Sequence, residues 1–211
     1  MRHAFAAVAC RRGFAALWLV LLCVGCGRDA PALARLGPDD VVLAFGDSLT
    51  FGTGVADDET YPAVLAGLIG RKVVRDGVPG ETTAHGLERL EASLETHRPR
   101  LLLLCLGGND LLRRVDAAQI ESNLRAMVQL ARSRGAEVVL IGVPEPALFG
   151  GTAPLYRRLA AELRVLLEEE TVTDVLRDEA LKSDPIHPNA EGYRRIAQAL
   201  AALLRDAGAI R

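Results

Sequence analysis

Disulfide chemistry is almost closed to this chain. It carries four cysteines in 211 residues; Cys10, Cys23 and Cys26 crowd near the start, and Cys105 alone belongs to the body. One body thiol cannot bridge internally, so the fold must rest on its core in any redox compartment. Within Leu101-Leu102-Leu103-Leu104-Cys105-Leu106 it reads as a small buried hydrophobe rather than a nucleophile. Charge of one sign is lacking too. The 25 Lys+Arg nearly balance 27 Asp+Glu, which gives no reason to expect nucleic acid as a partner. No apolar run reaches the ~20 residues that span a bilayer. Metal ligands are sparse: His3 lies near the start, and His85 and His97 share a helical segment with no carboxylate cluster at ligand spacing, so no metal is expected. Gly52-Thr53-Gly54 has no Gly-Lys-Ser/Thr after it, which removes a phosphate-cradling loop.

What is present is an ordinary globular composition, half hydrophobic and a quarter charged, at a length that suits one domain. The first residues differ. Arg2, Arg11 and Arg12 form a positive flank before the apolar run Gly13 to Val24, the pattern of a signal-peptide core. The run ends at Val24-Gly25-Cys26, which resembles a bacterial lipobox, with Cys23 standing where that pattern usually has leucine. Residues 1–25 are therefore expected to be a signal peptide of lipoprotein type, with Cys26 the lipid-bearing residue. A plainly cleaved signal and a retained anchor are the alternatives. Residues 26–38, rich in Ala, Pro, Gly and Arg, read as a tether, and residues 39–211 as the folded domain, exported and envelope-associated.

Strands and helices alternate from Val41 onward. Val41-Val42-Leu43-Ala44-Phe45 is a continuous apolar run, as a parallel strand buried on both faces would be. Tyr61 to Ile69 is helical, with Pro62 tolerated in its first turn. A short second strand covers Lys72 to Arg75. Leu87, Leu90 and Leu94 stripe a helix from Thr82 to Thr96, Leu101–Leu106 is a central strand, and Ile120, Leu124, Val128 and Ala131 line a further helix that Gly135 stops. Glu137–Val143 is a fourth strand. Tyr156 to Leu163 is helical, while Arg164–Glu168 fits either a fifth strand or more helix. Asn189 is placed to cap a last helix, Ala190 to Arg205, with Ile196, Leu200 and Leu203 inward. This order predicts an α/β three-layer sandwich on a parallel sheet of about five strands, with ligands outside the carboxyl ends of the strands.

Three segments carry chemistry. Phe45-Gly46-Asp47-Ser48-Leu49-Thr50 supplies a hydroxyl, Asp184-Pro185-Ile186-His187-Pro188-Asn189 a carboxylate and an imidazole, and Gly107-Gly108-Asn109-Asp110 an amide after a buried strand. A serine hydroxyl is a weak nucleophile until an imidazole takes its proton. Asp and His three residues apart on one loop can meet side chain to side chain and fix the imidazole tautomer. Charge developing on a carbonyl oxygen needs fixed donors. Asp47 is expected to organise the nucleophile loop through backbone hydrogen bonds, and Asp110 to be structural.

Gly46-Asp47-Ser48-Leu49, Gly80, Gly108-Asn109-Asp110 and Asp184-x-x-His187 resemble, in order, the four blocks of the SGNH (GDSL) hydrolase superfamily. The similarity runs over residues 41–204 and is greatest to the arylesterase, lysophospholipase and acyl-CoA thioesterase branch. It implies a flavodoxin-like sheet, Ser48 as nucleophile, His187 as general base, Asp184 as its orienting carboxylate, and an oxyanion hole from the N–H groups of Ser48 and Gly80 with the Asn109 amide. It implies a serine esterase acting on carboxylic esters or thioesters, without cofactor or metal, on a small-molecule or lipid substrate; the chain's size makes a monomer the default expectation. A carbohydrate O-deacetylase or acyltransferase would use the same residues, and a non-catalytic envelope lipoprotein would not need them. Two departures stand out: Asp76-Gly77 where the family usually has an asparagine, and Leu111-Leu112-Arg113-Arg114 after the third block. Leu111, Leu112 and the Pro144–Pro154 loop are the expected lining of an acyl groove.

Overall fold

The computed structural model describes Met1, residues 31–146 and residues 150–211; the signal-peptide and Cys26 readings lie outside the described residues. Strands β1 (Val41–Gly46), β2 (Lys72–Gly77), β3 (Leu101–Cys105), β4 (Glu137–Ile141) and β5 (Leu166–Glu168) form one sheet in the order β2-β1-β3-β4-β5. Every pairing in it is parallel. The central strands are apolar on both faces because helices cover both: Val42 to Phe45 and Leu102 to Leu104 are wholly buried.

Helix α1 (Ser48–Phe51) follows β1 directly. Helix α2 (Tyr61–Ile69) packs on the last helix, α8 (Ala190–Asp206), while α3 (Thr83–His97) packs on α5 (Ala117–Ser133). A single turn, α4 (Gly108–Leu112), follows β3; α6 (Pro154–Leu163) lies against α5, and α7 (Thr171–Arg177) against α8. The result is the expected three-layer α/β sandwich with flavodoxin-like strand order. In that order the chain reverses direction of growth between β1 and β3, the switch point where such sheets bind ligands.

The open choice at Arg164–Glu168 resolves as strand. Arg164 takes a left-handed backbone (φ 50°) that ends α6, and its N–H bonds back to Ala160 O; a non-glycine cap of this kind leaves no mark in hydrophobic periodicity. In α8 the buried leucine of the last turns is Leu204, and Leu203 is only half-buried. The segment 26–38 is not free along its whole length. Leu33 N and Leu36 N donate to Ala207 O and Ala209 O, both at 2.9 Å, Ala34 N reaches the Glu137 carboxylate at 3.0 Å, and Leu36 is buried. The chain is thus docked from Leu33 onward, because two leucines there cover apolar surface and the C-terminal backbone offers open carbonyls.

Candidate active site

The serine stands where β1 ends. Asp47 caps α1, its Oδ1 accepting the Leu49 N–H at 3.0 Å, which bonds an amide that would otherwise be an orphan of the first turn. The turn is clamped from the side. Gly77 lies so close that a Cβ there would sit 2.2 Å from Phe51 N and 2.7 Å from Asp47 O, so the Asp76-Gly77 pair allows the end of β2 to press on the nucleophile turn.

The histidine arrives on a different kind of element. Strands β6 (Lys182–Asp184) and β7 (His187–Pro188) form a small antiparallel hairpin ahead of α8. Asp184 Oδ1 accepts the N–H groups of Ile186 and His187, each at 2.9 Å, and Oδ2 lies 2.7 Å from His187 Nδ1. The other ring nitrogen, Nε2, is 2.9 Å from Ser48 Oγ. Residues 139 positions apart therefore stand in a hydrogen-bonded chain, hydroxyl to imidazole to carboxylate. Asn189 caps α8 by accepting the Gly192 N–H, which holds the start of that helix behind the hairpin.

Two carboxylates face this chain in opposite electrostatic settings. Burial alone would raise the Asp184 pKa, but the hydrogen bond from His187 and the two backbone N–H groups outweigh it and hold Asp184 below the usual range. Asp47 is 2% exposed. Burial pushes its carboxyl up to about 7, against the opposing pull of the Leu49 N–H, the His187 charge and the Asn109 amide. A positive charge on His187 favours ionised Asp47.

The groups that the family resemblance assigns to an oxyanion hole gather beside this turn. Val78-Pro79-Gly80-Glu81 is closed by Glu81 N donating to Val78 O at 3.1 Å, with Gly80 at φ 78°, the residue pattern of a type II turn. The N–H groups of Ser48 and Gly80 donate to no protein acceptor among the described residues. Asn109 Nδ2 bonds Glu81 O at 3.0 Å and Asp47 Oδ2 at 3.2 Å. Both of its protons are thus engaged, and a substrate oxygen would share one of them. The supports are layered. Arg89 makes a bidentate pair with Glu81 at 2.8 Å, reaches Asp76 Oδ1 at 2.5 Å and lies over the Phe45 ring. Arg113, in the unusual Leu-Leu-Arg-Arg segment, donates to Gly80 O at 3.1 Å. Asp110 accepts the N–H and hydroxyl of Thr83; its work is structural, as expected, and it ties Asn109 to the start of α3.

A cavity of about 530 Å³ opens from Ser48 between Leu49, Leu112, Val143, Leu176 and Ile186. Leu112 and the Pro144–Pro146 stretch line it as anticipated, whereas Leu111 packs against the core. The contributions of α7 and Ile186 were missed. Thr171-Val172-Thr173-Asp174 has no apolar stripe to set α7 apart from a loop, so only packing against α8 could reveal it. His85 is exposed and His97 half-buried, and no His, Cys, Asp and Glu cluster fit for a metal occurs among the described residues.

A parallel sheet with a serine, an imidazole and a carboxylate linked at its switch point defines the class of ester-hydrolysing serine hydrolases. Residues 44–195 match the GDSL-like lipase/acylhydrolase family, and the chain belongs to that family. Among curated relatives, thioesterase 1/protease 1/lysophospholipase L1 of Escherichia coli strain K12 is 34% identical over 179 residues, 81% of this chain and 86% of that protein. An arylesterase of Vibrio mimicus is 32% identical over 171 residues, 76% of this chain and 86% of the relative. Among solved structures, the crystal structure of TesA superposes with a TM-score of 0.72 at 28% identity, covering 80% of this chain and 99% of that one.

Proposed function

We propose that Ser48 is the nucleophile of an esterase that cleaves carboxylic esters or thioesters through an acyl-enzyme. The observation that carries this is the chain of contacts: Ser48 Oγ at 2.9 Å from His187 Nε2, and His187 Nδ1 at 2.7 Å from Asp184. His187 takes the hydroxyl proton as Ser48 attacks the carbonyl carbon, then gives it to the leaving alcohol or thiol. A water activated by the same nitrogen releases the acid. Asp184 holds the imidazole with its Nε2 toward Ser48. The N–H groups of Ser48 and Gly80 and the amide of Asn109 receive the negative oxygen.

The apolar wall of Leu49, Leu112, Val143, Leu176 and Ile186 suits an acyl chain longer than acetyl, which favours the thioesterase, lysophospholipase and arylesterase substrates named for relatives over sugar deacetylation. Export, with residues 1–25 as signal peptide and Cys26 lipidated, belongs to the same proposal and rests on the leader sequence. No helix among the described residues is long and apolar enough to cross a membrane. The decisive experiment is turnover of p-nitrophenyl esters of increasing chain length by the wild type and Ser48→Ala. Loss of several orders of magnitude with an unchanged circular dichroism spectrum is expected; retained turnover by the variant would refute the assignment.

A further inference from the structure

Because every strand of the main sheet runs the same way, one edge of the molecule collects the strand starts and the opposite edge the strand ends. The two edges differ in their charged residues. Arg35, Arg71, Lys72, Arg98, Arg100 and Arg164 all lie just before or at strand starts, and none has a carboxylate partner among the described residues. Arg71 and Arg100 donate to backbone carbonyls only, of Gly70, Leu36 and Gly135. The acids on this edge are fewer, and two of them, Asp40 and Glu137, are engaged by the N–H groups of Gly37 and Ala34. At the other edge, where Ser48 stands, Asp57, Asp58, Glu59, Glu145, Glu170 and Asp178 are exposed. The strand-start edge thus gathers six cations without carboxylate partners among the described residues, whereas the catalytic edge mixes its acids with Arg75, Arg113, Arg114, Arg177 and Lys182.

Helix dipoles account for part of this, since Arg98 and Arg164 cap the carboxyl ends of α3 and α6. They do not account for Arg35, Lys72 or Arg100, which lie outside helices. A second observation concerns the same edge. The bonds from Leu33 and Leu36 to Ala207 and Ala209 bring the start of the body there, and Pro31 already lies beside Arg132 and Gly135. Only Gly27 to Ala30 separate Cys26 from Pro31, at most about 18 Å of extended chain over the five steps. The six residues of β1 alone set Ser48 about 20 Å beyond that edge, so a lipid on Cys26 tethers the molecule by the edge opposite the site.

We propose that the cationic edge of the sheet rests on an anionic lipid surface, with the catalytic edge facing away from it into the aqueous phase. The substrate is then an ester or thioester that arrives through water, not one drawn from the supporting bilayer. The vesicle binding stands independently of the serine reading, and only the orientation rests on it.

The test compares binding of the full-length protein to phosphatidylcholine vesicles with and without phosphatidylglycerol; the cationic leader is common to every variant, so the share of the edge is read from the difference between wild type and edge variants. The wild type should favour the anionic vesicles, and less so at high salt. Arg35→Gln/Lys72→Gln/Arg98→Gln should reduce that preference about a hundredfold, at roughly a factor of five per cation. The charge-keeping Arg35→Lys/Arg98→Lys variant should retain it, as should Asp57→Asn/Asp58→Asn at the far edge, all with unchanged turnover of a soluble ester. Equal binding to both vesicle types, or a triple variant that binds like the wild type, would overturn the proposal. For orientation, a fluorophore delivered to Ser48 by a fluorophosphonate should escape quenching by nitroxide-bearing lipid. Strong quenching would overturn the outward-facing site, whereas failure to label would refute the serine reading and leave the vesicle result standing.

Discussion

The serine and the histidine are held by two different kinds of structure. Ser48, itself half-buried, is anchored to the core: it follows a strand buried from Val42 to Gly46, is preceded by a buried carboxylate, and its turn is pressed by Gly77 from the neighbouring strand. His187 belongs to a local device, a hairpin in which Asp184 bonds two backbone N–H groups of its own loop as well as the ring. The Asp184 side chain is 42% exposed, the His187 ring 13%. Ser48 is thus fixed by long-range packing and His187 by short-range hydrogen bonds. Damage to the first should cost stability and activity together; damage to the second should cost activity alone.

The largest effect tests whether the two halves act as one unit. His187→Ala and the Ser48→Ala/His187→Ala double variant should each lose about as much turnover as Ser48→Ala alone, roughly 10⁶-fold, in single-turnover assays. Additive losses would show that they do not cooperate. Asp184→Asn should lower kcat by about 10⁴-fold through the wrong imidazole tautomer, while thermal unfolding shifts little because the loop is exposed; a large fall in Tm would break the comparison.

Asn109→Ala comes next. It removes an oxyanion donor and the link between Asp47 and Glu81, so kcat should drop about 10²–10³-fold with KM almost unchanged. Arg113→Ala, which loosens only the bond to Gly80 O, should show a much smaller loss of kcat. Gly77→Ala sharpens the other side of the comparison. Its Cβ meets backbone atoms that cannot move aside, and overpacking of this kind costs about 1–3 kcal/mol, measurable by urea unfolding together with a fall in activity.

The smallest effect lies in pH. Asp47 has its pKa raised from 3.8 to about 7, so between those values the folded protein holds a proton that the unfolded chain has lost. Its contribution therefore makes stability fall as pH rises from about 4 to 7 and level off above. Asp184, with its pKa lowered, contributes in the opposite sense: stability present above 3.8 and lost on acidification. Urea unfolding from pH 4 to 8 should show that downward trend in the wild type and a flatter curve in Asp47→Asn. An equal slope in both would assign the trend to other groups.

Much of this was legible in the chain. The apolar runs at Val41–Phe45 and Leu101–Leu106 announce buried parallel strands, because only a strand covered on both faces tolerates such sequences. Asp184 and His187 could be paired from their spacing, since three residues on one loop bring their side chains together. Less could be read where structure depends on contacts far away. α7 has no periodic stripe, the docking of Leu33 and Leu36 depends on carbonyls near the other terminus, and β5 is distinguished from helix only by the left-handed turn at Arg164.

The sequence by itself determined the layer order and the pairing of His187 with its carboxylate. These are set by periodicity and by bonds within a few residues. Only the tertiary structure decided that Ser48 and His187 meet at 2.9 Å, that Asn109 is tied to both Asp47 and Glu81, and that cations scattered from Arg35 to Arg164 share one edge. The Asn109 contacts and the shared edge follow from the parallel register of strands distant in sequence, which brings every strand start to one end of the molecule and every strand end to the other; the Ser48–His187 contact follows from the separate hairpin packing against the turn after β1.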